Sequence, residues 1–393
     1  MRILTIFIDM IRANRLSLFN DKIKEDTPLD KIFKELGGTI YNNCFTPAPD
    51  TSRSMACFYT GQKPFKNGCN SRLKWPRFFL NNNLLTIFDL FIEKGYKINC
   101  FSNPNERETG LFPEKITDMD IHNKDFNLNK YLNSIKLEKD HFLFISLPDF
   151  HWSFDDNGYS EFGERKAYKD VSKSFSIIFE NFNKDDFDHI FIFSDHGFKF
   201  MSEVIYQKIF NKKYLLLNED RTNIIMLHRE RNNNKIIYNN KLCSIEDMLA
   251  TFGDILNINI SNGISLFSDS ERDYILAEDH YNFSISVNQN IEIWALLTKD
   301  IIYIRTLENG YLIDRITKKI KENIIIEEMD FILKQNSSFG IYMDEYEKIF
   351  KYKKFILKQT LFMHGGQRIV KSKIFKYLMF FWDYVKFTLK GKK

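Results

Sequence analysis

Short apolar runs punctuate this chain at intervals that suit β–α–β alternation. They cover residues 3–8, 96–101, 141–147 ("HFLFISL") and 189–194 ("HIFIFS"). They are apolar at nearly every position rather than every second one. That is the pattern of strands buried on both faces, as in a parallel sheet covered by helices. Between them, Leu84, Leu85, Ile87, Phe88, Phe91 and Ile92 recur at helical spacing up to Gly95, and a further helix is predicted over 168–182. The alternation predicts an α/β fold, a mostly parallel sheet flanked by helices.

After about residue 270 the pattern changes. "DYILAEDH", "FSISV", "IEIWALL" and "IIYIRTL" are closely spaced strand-like runs, and "ENG" (308–310) reads as a hairpin turn before "YLIDRI". These runs predict a smaller, mainly antiparallel C-terminal subdomain. The expected boundaries are 1–270 for the α/β domain, 271–370 for the subdomain and 371–393 for a basic aromatic tail. The tail reads as a basic amphipathic helix that either docks on the core or lies peripherally on an anionic membrane.

Composition narrows the class. The 393 residues are 44% hydrophobic and include 39 Phe, enough for a sizeable core, which excludes a disordered chain. A net charge of +4 with scattered Lys and Arg gives no nucleic-acid footprint. Five cysteines at irregular spacing, with no CxxC pair, suggest neither a disulfide framework nor a cysteine zinc site. The first apolar run is too short for a signal sequence and no apolar stretch reaches membrane-spanning length, so the expected compartment is the cytoplasm.

Three strand ends carry polar residues that an apolar strand does not require. Asp9 ends the first run, Asp149 and His151 follow the third, and Asp195 and His196 follow the fourth. Ligands in open α/β sheets bind beyond the carboxyl ends of strands, so these residues could converge. Two aspartates with a histidine form a mixed O/N set suited to zinc, manganese or a similar ion. Taken singly, each Asp is equally a turn former or helix cap. "TPAPDTSRSMACFYTGQKP" (46–64) adds five hydroxyls, at Thr46, Thr51, Ser52, Ser54 and Thr60.

Here the chain resembles the alkaline phosphatase superfamily, on its sulfatase-like branch. "IDMIRANRL" (8–16) is similar to that branch's D-T-L-R-A-D-x-L opening, and the 46–64 segment to its nucleophile segment ending in TG-x-x-P. "SDHG" (194–197) matches its second metal-ligand segment, "PDFHW" resembles a D-P-H element, and 243–267 resembles a later G-x-S-L segment. The landmarks keep the family's order over about residues 1–270.

The resemblance implies roles. Thr51 lies nine residues before Thr60, where related phosphodiesterases and phosphotransferases carry their nucleophile. It implies Asp9, Thr51, Asp195 and His196 as ligands of one divalent ion, zinc foremost, with Mn, Mg and Ca open. Met10 stands where many sulfatases have a second Asp. Formylglycine sulfatases need C/S-x-P-S-R, and the matching residues here are Thr51, Ser52, Arg53 and Ser54, so phosphate esters are expected before sulfate esters. Without that role Thr51 would be an N-cap. Asp149 and His151 are candidates for a second metal or for substrate contact, with His151 preferred as general acid. Arg53 and Lys63 are candidate phosphate contacts, and His364 a possible second-metal ligand. His122, His141, His189, His228 and His280 show no partner pattern and are left structural. The expected activity is phosphoester hydrolysis or transfer, with a glycan or lipid precursor as a possible substrate. The rival readings are a sulfatase using an unmodified residue and a non-catalytic member that binds a glycan or partner.

Overall fold

The computed structural model describes residues 1–69, 80–81, 83–102, 127–283, 289–340 and 343, with the backbone alone for 280–283 and 289–291. His122, His364 and the 371–393 tail lie outside the described residues. Among the described residues there are two sheets. The first has seven strands in the order β3-β4-β1-β5-β6-β2-β7. These are β1 Arg2–Ile8, β2 Gly38–Phe45, β3 Lys97–Phe101, β4 His141–Leu147, β5 His189–Ser194, β6 Met226–Glu230 and β7 Ile236–Ser244. β6 runs against both neighbours, and the other strands share one direction. The mostly parallel sheet read from the apolar runs is therefore present.

Alternation sorts the side chains of β1 between two cores. Ile3 and Phe7 join Phe142, Phe144, Phe191 and Phe193 on one face, while Leu4, Ile6 and Ile8 join Leu143, Ile145 and Ile192 on the other. The first face is covered by α2 (Thr51–Thr60), α4 (Ile87–Glu93) and a helix at Met248–Leu256, the second by α1 (Pro28–Leu36) and a long helix at Glu161–Asn181; a one-turn helix, α3 (Pro64–Asn67), follows α2. Phe58 of α2 stacks on Phe193 at 4.4 Å, and Phe91 of α4 on Phe142 at 4.0 Å, which seats both helices on the strands. No helix among the described residues is long and apolar enough to cross a membrane.

The second sheet is antiparallel, in the order β12-β11-β10-β9-β8. Its strands are β8 Ile275–Phe283, β9 Gln289–Leu297, β10 Ile301–Thr306, β11 Gly310–Asp314 and β12 Ile320–Glu322. One face packs Ile275, Ala277, Ile293 and Ile304 against Phe45 and Leu242 of the first sheet. The other packs Trp294 and Tyr303 against Leu333 of the helix Glu327–Asn336. β8 runs through Phe283, the first residue of "FSISV", and the rest of that expected strand lies outside the described residues.

At the start of β4, His141 is 1% exposed. Its Nδ1 accepts a hydrogen bond from the Glu138 N–H at 3.1 Å, and its buried Nε2 meets no partner. Burial pushes its pKa down to about 4. The folded state favours the neutral ring, so the stability it supplies is complete above the unfolded pKa of about 6.5 and is lost as pH falls toward 4. Between pH 7 and 5 the wild-type chain is expected to lose on the order of 1 kcal/mol more than His141→Gln, after allowance for solvent screening. Urea unfolding at both pH values measures this, and parallel losses would contradict it.

Candidate active site

Register brings the three polar strand ends together. Ile8 of β1 pairs with Leu147 of β4 on one side and with Ser194 of β5 on the other. The residues that follow, Asp9, the first turn of the helix Asp149–Asn157 with His151, and Asp195–His196, therefore emerge side by side. Thr51 arrives differently, from the loop after β2, as the first residue of α2.

Asp50 is the N-cap of that helix, accepting from the Arg53 N–H at 3.2 Å. The N-cap alternative for Thr51 is thereby corrected: with Asp50 capping, the Thr51 hydroxyl is left for the cluster. It donates to Asp9 Oδ1 at 3.2 Å and lies 3.4 Å from His196 Nε2. Thr46 and Ser54 bond each other at 2.7 Å, Ser54 also donates to the Asp195 carbonyl at 2.8 Å, and Thr60 donates to the Ala56 carbonyl at 2.7 Å. Those three hydroxyls hold backbone in place. α2 ends at Gly61, whose φ of 63° forms a left-handed cap, which explains the Thr-Gly turn.

Asp9, Asp195 and His196 can bring one ligand atom each within 4.8 Å of one another. His196 Nδ1–H donates to the Gly197 carbonyl at 2.8 Å, which leaves Nε2 bare and aimed at the cluster. Asp195 Oδ1 accepts from the Met10 and His196 N–H groups at 3.0 and 2.8 Å. Asp195 Oδ2 is fully buried and has no hydrogen-bond donor, with His196 Nε2 at 3.4 Å. An anionic oxygen buried in that state costs several kcal/mol unless a cation meets it. Burial first, then the charge of Asp9, pushes the Asp195 carboxyl well above the usual range. Burial pushes the His196 ring down to about 4, which keeps it neutral. A hard divalent ion fits this donor set of two carboxylates, one imidazole and a hydroxyl.

His151 is brought into the same place, its Nδ1–H donating to Asp9 Oδ2 at 2.8 Å. Burial depresses this ring, but the Asp9 carboxylate outweighs burial and holds it at about 9. Its Nε2 faces away from Asp9, 3.6 Å from Asp155 Oδ2. Met10, between the Asp9 and Arg12 turns, has a φ of 65°, a strained value for a side chain of its size. That conformation lets its N–H reach Asp195.

Three other sequence candidates sit elsewhere. Asp149 accepts from Ser174 Oγ at 2.9 Å and joins neither ligand group found among the described residues. Arg53 is 1% exposed, donating through Nε to Asp50 and through Nη2 to Asp279 Oδ1 at 2.6 Å. This guanidinium, enclosed by two carboxylates, ties α2 to β8. Lys63 lies past the far end of α2, about 14 Å along the axis from Thr51, and its Nζ reaches the Asn336 carbonyl at 3.5 Å.

Sequence reading missed Asp50 as the cap and Asp279 as its distant counterpart, because no local spacing links residue 53 to residue 279. It also missed Arg221, which bears electrostatically on both His196 and Lys199. The Gly of SDHG has a steric reason, since a Cβ on Gly197 would stand 1.9 Å from the Asp220 carbonyl oxygen.

Comparison with known proteins gives the same direction. A family profile described as Sulfatase matches residues 2–258. No curated protein matches the sequence. A 2-O GAG sulfatase structure is similar at 14% identity, with 92% of this chain and 91% of that one covered and a TM-score of 0.58. A phosphonate monoester hydrolase from Silicibacter pomeroyi aligns at 12% identity over 80% of this chain and 89% of its own, with a TM-score of 0.55. A protein of the alkaline phosphatase superfamily from Vibrio parahaemolyticus aligns at 12% identity over 88% and 87%, with a TM-score of 0.58.

Proposed function

The chain belongs to the sulfatase family, on the sulfatase-like branch of the alkaline phosphatase superfamily, and on that premise we propose that it is a metal-dependent phosphoester hydrolase or transferase with Thr51 as nucleophile. The single observation that carries this reading is the Thr51 hydroxyl, 3.2 Å from Asp9 and 3.4 Å from His196 beside an orphaned carboxylate oxygen of Asp195. An unmodified threonine is a poor nucleophile near neutral pH and needs a metal or base to act. Superfamily members use divalent metal ions. A divalent ion held by Asp9, Thr51, Asp195 and His196 would lower the hydroxyl pKa and offset charge on the ester's non-bridging oxygens.

The chain's own residues then divide the work. Asp9 orients the Thr51 hydroxyl through Oδ1 and His151 through Oδ2. The N–H groups in the first turn of α2 favour an anionic ester above Thr51. Attack by Thr51 Oγ1 forms a bond to phosphorus as the bond to the leaving oxygen breaks. In this reading His151, whose ring Asp9 holds at about 9, would protonate that oxygen. Water or an acceptor hydroxyl then releases the phosphoryl group from Thr51.

A sulfate ester is the second reading, favoured by the family and by the several sulfatases among the similar structures. The experiment is a metal-supplemented panel of aryl phosphate monoester, phosphodiester, phosphonate monoester and sulfate. A phosphorus ester is expected to give the highest kcat/KM. A sulfate ester as best substrate would overturn the phosphorus assignment.

A further inference from the structure

Two histidines that carried no pattern in the sequence meet at the opposite end of the sheet from Thr51. His189 opens β5 and Glu230 closes β6, and the two residues are direct cross-strand partners. His228 pairs with Phe191 one pleat further in. Since alternate residues of a strand share a face, His189, Phe191, His228 and Glu230 all project on the same side of the sheet. His189 Nδ1 stands 3.0 Å from His228 Nε2, and His189, His228 and Glu230 can each offer one ligand atom within 4.8 Å of the others.

We propose that His189, His228 and Glu230 form a second metal centre, separate from the one at the strand ends, that takes a zinc-class divalent ion. Two imidazole nitrogens bound tetrahedrally at about 2.0–2.1 Å lie roughly 3.3 Å apart. The observed 3.0 Å is within a few tenths of that spacing. Two ring nitrogens facing each other have room for one proton only, and a divalent ion takes the place of that proton. Two imidazoles and a carboxylate are a common zinc donor set, with the fourth position left to water.

The surroundings fit an ion. The His228 ring is 4% exposed, packed on Phe191 at 4.5 Å and near Phe267 at 4.8 Å, so it has little freedom to turn away. Glu230 is exposed and forms no ion pair among the described residues. Arg231 beside it is paired with Asp188 at 3.3 Å. An open hollow of about 520 Å³, lined by Met1, Asp188, His189, Glu230 and Arg231, supplies an entry path and space for a water ligand. From His189 to Asp195 is about 20 Å along β5, so the two centres share no ligand.

The test is a Co(II) titration of the metal-free full-length chain, read by visible absorption and checked by elemental analysis. The wild type is expected to bind two ions and Asp195→Asn to keep the one held by the histidines. His189→Ala is expected to bind one ion fewer than wild type, with hydrolysis unchanged within about twofold. Glu230→Gln alters only an exposed side chain and is expected to weaken the second ion by about tenfold, so the proposal stays testable if the histidine variants fold poorly. A Co(II) count and affinity unchanged in both Glu230→Gln and His189→Ala would overturn it, leaving a hydrogen-bonded histidine pair. Loss of activity in the Asp195 variant reports on the other centre alone.

Discussion

Thr51→Ala is expected to lower kcat by at least about 10³-fold while the chain stays folded. Thr51 is the first helical residue of α2, and its hydroxyl reaches Asp9 and His196 and also favours the charged form of Asp195. The helix keeps its Asp50 cap, and alanine is the strongest helix former, so structure should change little. Thr51→Ser keeps the attacking oxygen and is expected to retain activity within about tenfold. Steady-state kinetics on the best aryl ester, with circular dichroism as the folding control, measures both. A Thr51→Ala enzyme as active as Thr51→Ser would remove Thr51 from the chemistry.

Arg53→Met carries the largest expected effect on stability. Its guanidinium lies between Asp50 and Asp279, and Nη1 also donates to the Glu278 carbonyl at 3.3 Å. Burial alone would lower its pKa, but the two carboxylates outweigh burial and hold it above its ordinary value. Methionine fills much of the volume and removes the guanidinium from the buried Asp50 and Asp279 carboxylates, at a cost of about 3–5 kcal/mol. Arg53→Lys should recover only part, because an ammonium cannot bridge three acceptors in one plane. Denaturant unfolding measures the loss. Adding Asp279→Asn to Arg53→Met should recover part of it, since one of the stranded charges is then gone. A loss below about 1 kcal/mol for Arg53→Met would show that the triad is not buried in solution.

The parts of the fold that could be read from the sequence are those where burial is uniform. β1, β4 and β5 are apolar at nearly every position because helices cover both faces, so their ends, and with them Asp9, His151, Asp195 and His196, could be located. β2, β6 and β7 escaped notice. "GTIYNNCF", "MLHRE" and "IIYNNKLCS" mix polar and apolar residues, because these strands lie toward the sheet edge and take their register from neighbours far along the chain. The helix predicted over 168–182 begins earlier, at Glu161, because Ser160 caps it and accepts from the Gly163 N–H at 3.3 Å. In the site, residue type suggested Asp149, Arg53 and Lys63 as ligands or phosphate contacts. Their hydrogen-bond partners are Ser174, Asp279 and Asn336, each too far along the chain for any local spacing to signal.

Covalent capture on Thr51 tests the central claim most directly. The metal-supplied enzyme is mixed with its best aryl phosphate ester, quenched in acid within a single turnover, digested and read by mass spectrometry. The account predicts a phosphoryl group on the peptide containing Thr51, absent when His196 is replaced by alanine. A phosphoryl group found on any other residue, or none at all from an enzyme that is turning over under the same sampling, would contradict it.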